Sequence, residues 1–120
     1  METEEDYPYT ASNNKCSAQE ELKGFVKLTD FKEVERFSPV ELATALTLGP
    51  VSVGVDASDT AFKFYKSGII KKRCGTSIDH AVLLVGYGTD NGVDYWLVKN
   101  SWNSSWGEDG YFRVLRDMKK

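Results

Sequence analysis

The sequence is poor in the residues that most often carry chemistry, with one histidine, His80, and two cysteines, Cys16 and Cys74. The separation of the cysteines suits neither a zinc site nor a redox pair. They could bridge each other, stay reduced, or pair with cysteines outside these residues; two unrelated thiols is the plainest reading. Basic charge is not in excess: 15 Lys and Arg stand against 18 Asp and Glu, for a net charge of −3. No basic face stands out, which argues against nucleic acid as a partner. Long apolar runs are missing too. The longest, residues 81–85, is far too short to span a membrane. No targeting signal is apparent, because Met1-Glu2-Thr3-Glu4-Glu5-Asp6 is acidic where a signal peptide needs basic and then apolar residues. Repeats and low-complexity segments are likewise absent. What remains, 41% hydrophobic and 28% charged over 120 residues, is the composition of one folded domain.

Local patterns divide the chain. Residues 1–22 are polar and acidic and are broken by Tyr7-Pro8-Tyr9, so an irregular arm is expected, with both tyrosines packed. Residues 24–31 alternate loosely and form a strand candidate. Ser38-Pro39-Val40-Glu41 is a helix start, with Ser38 as cap, Pro39 at the first helical position and Glu41 completing a capping box. That helix is expected to run to about Leu48, with Leu42, Ala45 and Leu46 inward, and Gly49-Pro50 to stop it. Val51-Ser52-Val53-Gly54-Val55-Asp56 alternates as a half-buried strand. Gly54 falls on the side opposite the valines, which marks either a close approach to the backbone or a bulge. Residues 58–65 suggest a short helix with Phe62 and Tyr65 on one side. Lys71-Lys72-Arg73 reads as a solvated loop. Residues 111–115 form a last strand. The order favours an α+β fold with a coiled antiparallel sheet or half-barrel and one or two short helices.

The informative stretch is residues 79–107. Two apolar strands flank Thr89-Asp90-Asn91-Gly92, a hairpin signal. A hairpin centred on Asp90 sets His80 opposite Asn100, and their shared even numbering puts both on one face; a bulge would break that register. A lone histidine on a strand is more often structural than catalytic. Here, however, Asn100 is placed to accept from one ring nitrogen, fixing the tautomer and freeing the other. Trp102 is placed to cover that bond and exclude water. A histidine oriented by an amide is half of a nucleophilic catalyst, the other half being a thiol or hydroxyl.

These residues resemble the papain-like cysteine peptidases, nearest the cathepsin L type. Asp79-His80-Ala81-Val82 with Val85-Gly86-Tyr87-Gly88 is similar to that family's histidine strand. Tyr95-Trp96-Leu97-Val98-Lys99-Asn100-Ser101-Trp102 with Trp106-Gly107 is similar to its asparagine strand and following loop. Glu4-Glu5-Asp6-Tyr7-Pro8-Tyr9 and Gly49-Pro50-Val51-Ser52-Val53 extend the likeness over nearly the whole chain. The resemblance implies that residues 23–120 are the β-rich right-hand domain of that fold and that residues 1–22 belong to the inter-domain region. It implies His80 as catalytic base and acid, Asn100 as its orienting group, and Trp102 as a shield on the leaving-group side with Trp106 stacked nearby. The bland reading of Trp106, a core residue, has equal weight. The resemblance further implies that Gly54, Ile78 and Ala81 line an open, apolar pocket for the substrate residue two before the scissile bond, with Asp79 polarising groups beside it. No metal or cofactor is implied. Implied partners are peptide or protein substrates, the N-terminal helical half of the same peptidase and cystatin-like inhibitors. The implied location is lysosomal or secreted.

The nucleophile is not matched. Neither Cys16 nor Cys74 has the Cys-Trp flanks of the family's catalytic thiol, and the oxyanion glutamine has no counterpart. By resemblance, Cys16 would bridge to a cysteine in the N-terminal half and Cys74 to one beyond Lys120. The residue after Trp102, usually glycine, is Asn103, which tolerates a left-handed backbone and opens the glycosylation sequon Asn103-Ser104-Ser105. The expectation is the C-terminal portion of a papain-like cysteine endopeptidase, inactive alone. The competing class is a catalytically dead homologue or isolated domain that binds peptides or a partner chain.

Overall fold

A computed structural model describes residues 2–17, 26–72 and 75–117. The chain divides into two compact units, Met1–Glu33 and Val34–Lys120. In the first, the described residues form no helix or strand. Acidic side chains organise its start: Thr3 Oγ1 donates to Asp6 Oδ2 at 2.6 Å, and Tyr9 N–H donates to Glu4 Oε1 at 2.8 Å. The Tyr7 hydroxyl accepts from the Ser17 N–H at 3.2 Å. Tyr9, expected to be packed, is 83% exposed. The strand expected over residues 24–31 does not form in 26–31, and 24–25 lie outside the described residues. Val26, Leu28 and Phe31 are exposed, so the alternation there has no buried face to satisfy.

The second unit carries the sheet. Helix α1 (Pro39–Leu46) starts where Ser38 Oγ accepts the Glu41 N–H, with Pro39 in the first turn. Leu42 and Leu46 lean on the core. Strand β1 (Val51–Val55) follows the Gly49-Pro50 break. Helix α2 (Thr60–Lys63) is a single turn capped by Asp59 Oδ1, and it buries Phe62. Strand β2 (Ile69–Ile70) is followed by β3 (His80–Asp90), β4 (Val93–Lys99) and β5 (Tyr111–Leu115). Among the described residues the order is β1-β3-β4-β5-β2. All pairings are antiparallel except β2 with β5, so the sheet is mixed and open where an antiparallel one was expected. The whole hairpin intervenes between β2 and β5, and a connection of that length allows the parallel arrangement that a tight turn forbids.

The inward face carries Val51, Val53 and Val55 of β1 against Leu84, Val82 and His80 of β3, followed by Val98 and Phe112. Leu84, Val98 and Phe112 are nearly inaccessible, and Phe62 and Tyr65 close over them. Burying each large apolar side chain of this kind contributes about 1.5–3 kcal/mol. Arg113 spans the outer part: its Nε and Nη2 donate to Glu108 at 2.8 and 2.7 Å, and its Nη1 reaches Asp90 at 2.7 Å.

The hairpin turn is Asn91-Gly92, both with positive φ (49° and 76°), the primed geometry that suits strand twist. The turn centre therefore lies beyond Asp90. From Asp90↔Val93 to Gly86↔Leu97, even residues of β3 face odd residues of β4. A bulge at Val85 then resets the ladder, and Leu84 faces Val98. Without it, regular pairing would set Asn100 opposite Leu83 and point it away from His80. The bulge, foreseen only as a hazard to the register, is what puts the two side chains on one face.

Candidate active site

His80 opens β3, and its inward direction follows from sharing a face with Val82 and Leu84. Asn100 leaves β4 and is pinned by its own backbone: its N–H donates to the Gly110 carbonyl at 2.9 Å. The Asn100 side chain is buried, at 8% exposure for the residue. Its Oδ1 lies 2.8 Å from His80 Nε2 and also accepts the Ser101 N–H at 2.8 Å. A backbone N–H can only donate, so the atom receiving it acts as an oxygen acceptor. His80 Nε2 is then the protonated nitrogen, and Nδ1 is left with a bare lone pair. Asn100 Nδ2 has no hydrogen-bond partner among the described residues.

Trp102 lies over this pair. Its ring is stacked on the His80 imidazole with centroids 5.0 Å apart and planes 29° from parallel. Apolar cover of this kind keeps water from competing for the amide–imidazole bond. Trp106 backs Trp102 edge-on at 5.3 Å and 81°, where stacking had been expected. It also meets Phe62, Tyr65 and Phe112, and its Nε1–H donates to the Lys63 carbonyl at 2.9 Å. Trp106 is thus a partly buried residue that packs against the core and braces Trp102 from behind.

The loop from 100 to 110 needs left-handed backbone at several points. Asn103 adopts φ 71°, a left-handed backbone that asparagine tolerates, and its carbonyl accepts the Trp106 N–H at 3.3 Å. Gly107 has no substitute: a Cβ there would lie 2.5 Å from the Tyr111 carbonyl oxygen and 3.1 Å from the Tyr65 ring.

The residues assigned to a substrate pocket also come together. Gly54 pairs with Ala81 across β1 and β3, on the face opposite His80. Ile78 Cγ2 lies 2.6 Å from where a Cβ on Gly54 would stand, so the absence of a side chain at 54 is what admits Ile78. Ile78, Asp79 and Ala81 are exposed. Asp79 Oδ1 accepts the Ala57 N–H at 2.7 Å, while its own N–H donates to the Val55 carbonyl at 3.2 Å. Its carboxylate therefore holds the strand end in place. Cys16 is exposed, and Cys74 lies outside the described residues.

Two polar anchors escaped sequence reasoning. Asp56 is buried and accepts from the Ser58 hydroxyl, the Ser58 N–H and the Ser77 N–H, tying the end of β1 to the segment that leads into His80. The Ser58 hydrogen bonds hold its carboxyl below the usual carboxylate range, against a smaller opposing effect of burial. The Asp-Ala-Ser sequence is an Asx-turn signal that could have revealed it. Glu108 is the other. Its hydrogen bonds with Arg113 hold it below the carboxylate range, it accepts the Gly68 N–H at 2.8 Å, and it fixes the loop behind Trp106.

Residues 1–120 match the model of the papain family cysteine proteases. Cysteine proteinase COT44 of Brassica napus is 46% identical over 118 residues, covering 98% of this chain and 36% of the relative. The oryzain beta chain of Oryza sativa subsp. japonica is also 46% identical, covering 98% of this chain and 25% of its own length. Among solved structures, digestive procathepsin L 3 of Tenebrio molitor larval midgut superposes with TM-score 0.87 at 38% identity, over 97% of this chain and 38% of that one. The bromelain protease of Ananas comosus in complex with the E64 inhibitor gives TM-score 0.79 at 39% identity, over 97% and 54%. The chain thus spans about a quarter to a third of the curated relatives it matches.

Proposed function

This chain belongs to the papain family of cysteine proteases, and on that footing we propose that it supplies the histidine–asparagine side of a peptidase cleft whose nucleophilic thiol comes from a segment outside these residues. The observation that carries the proposal is the His80 Nε2–Asn100 Oδ1 bond under the Trp102 ring, which leaves Nδ1 as the available base. In the proposed reaction Nδ1 takes the cysteine proton, giving a thiolate and an imidazolium. The thiolate attacks the peptide carbonyl carbon. The imidazolium returns the proton to the departing amine as the C–N bond breaks, leaving an acyl thioester. Water, deprotonated by His80, then attacks the acyl carbon and releases the acid and the thiol.

Gly54, Ile78 and Ala81 receive an apolar side chain two residues before the cut, and Trp102 borders the leaving-group side with Trp106 behind it. Peptides, protein substrates and cystatin-like inhibitors are the partners, together with the N-terminal half of the same peptidase. Cys16 and Cys74 pair with cysteines outside these residues, and the protein works in a lysosomal or secreted compartment. The test is peptide hydrolysis. These 120 residues alone should not cleave a peptide with an apolar residue two before the cut, and the product of the complete reading frame should. Hydrolysis by the isolated chain that a thiol reagent abolishes would overturn the proposal.

A further inference from the structure

The turn at residues 103–105 answers one structural demand and then does more. The demand is positive φ at 103, which glycine meets at no cost. Asparagine meets it too, at φ 71°, and brings an exposed carboxamide. Its Oδ1 accepts from the Ser104 hydroxyl at 3.2 Å and lies 3.4 Å from the Ser105 N. Both contacts fall on the oxygen, and Nδ2 makes no hydrogen bond among the described residues. Of the five asparagines, at 13, 14, 91, 100 and 103, only Asn103 has serine or threonine two residues on. Residues 103, 104 and 105 are all exposed. The backbone of the turn backs onto Gly110, where a Cβ would stand 3.3 Å from the Asn103 carbonyl oxygen, so the crowded side is the main chain and the side-chain face is open.

We infer that Asn103 carries an N-linked glycan, placed at the rim next to the tryptophan that covers His80. The inference rests on the proposed secreted or lysosomal location, because the donor is a lipid-linked oligosaccharide pyrophosphate of the secretory pathway. In the transfer, Asn103 Nδ2 forms a bond to the first sugar's anomeric carbon. The bond from that carbon to the pyrophosphate oxygen breaks, the lipid pyrophosphate leaves, and one amide proton is lost. Bound there, the sugar would narrow the approach to the Trp102 side of the site and shield the loop that holds it.

The experiment expresses the complete reading frame in a eukaryotic secretory host, fractionates the cells, and maps the tryptic peptide 100–113 after glycosidase release in heavy-oxygen water. The expected result is conversion of Asn103 to oxygen-labelled aspartate in the secreted or lysosomal protein. Asn103→Gln and Ser105→Ala should each abolish the label. Asn103→Gly should abolish it while leaving the yield of folded protein unchanged, because glycine keeps the turn. A protein that enters the pathway with this peptide unmodified overturns the glycan alone. A protein that never enters the pathway overturns the proposed location and the glycan with it.

Discussion

At one end of the β3–β4 hairpin, Asn91 and Gly92 turn the chain in left-handed backbone, and charge secures the strands. Arg113 clamps Asp90 and Glu108 there and lies over the Tyr95 ring at 5.2 Å, while Arg116 lies over Tyr87 and Trp96. At the other end there is one amide–imidazole bond under the Trp102 ring, which is itself backed by Phe62 and Trp106. The charged end is partly solvated, and its work is to tie the hairpin to its neighbours through Arg113. The aromatic end is partly buried, and its work is to fix the direction of a single ring. Between them, the Val85 bulge converts the register demanded by the turn into the one demanded by the site. A change at the charged end should therefore cost modest stability, whereas a change at the aromatic end should cost either much stability or function alone.

The largest effect separates those last two. On the proposed peptidase role, His80→Ala in the product of the complete reading frame should lower kcat/KM by at least about 10³-fold, because the proposed general base is removed. Thermal unfolding should barely move, since the residue is half-exposed at a strand end. A comparable loss in the melting transition would mean that His80 is structural. Next is Phe112→Ala, which opens a cavity where the site's aromatic rings converge and should cost about 3–5 kcal/mol in denaturant unfolding. A loss below about 1 kcal/mol would show that the aromatic end is not a packed unit. Asn100→Ala should lower kcat/KM by about 10-fold to 10²-fold, the size of one buried hydrogen bond of about 1–3 kcal/mol. Activity equal to wild type would remove Asn100 from the account.

The smallest effect belongs to the charged end and depends on pH. The folded pKa of Glu108 is lowered chiefly by its Arg113 hydrogen bonds. Its contribution is therefore fully present above the ordinary carboxylate pKa and is lost as pH falls through the lowered folded value. Because the pair is partly solvated, Glu108→Gln should cost only about 1 kcal/mol near neutral pH and should flatten the acid limb of the stability curve. An unchanged acid limb would break the link between this cluster and the loop behind Trp106.

Much of this division was legible in the sequence, though not always for the right reason. Asn91-Gly92 announced the hairpin, and Ser38-Pro39 and the 51–56 alternation announced α1 and β1, because turn, cap and period are local signals. The pairing of His80 with Asn100 was legible as a pair, but the path to it was not. Centring the turn on Asp90 was wrong, and the parity argument survives only because the bulge offsets that error. The parallel β2–β5 pair, the Arg113–Asp90 contact and the Asp56–Ser77 bond depend on contacts distant in sequence, which local pattern cannot supply. The strand expected over residues 24–31 fails in 26–31 for the opposite reason, since alternation without a face to bury does not make a strand.

The central claim is that Asn100 holds His80 in one tautomer with Nδ1 bare. Because His80 is the only histidine in the chain, its ring nitrogens give a single, unambiguous pair of ¹⁵N resonances. In the neutral form Nε2 should be protonated and Nδ1 unprotonated, with the Nε2 proton slow to exchange and made fast by Asn100→Ala. A neutral ring protonated at Nδ1, or an Nε2 proton that exchanges as freely in the wild type as in the variant, would contradict it.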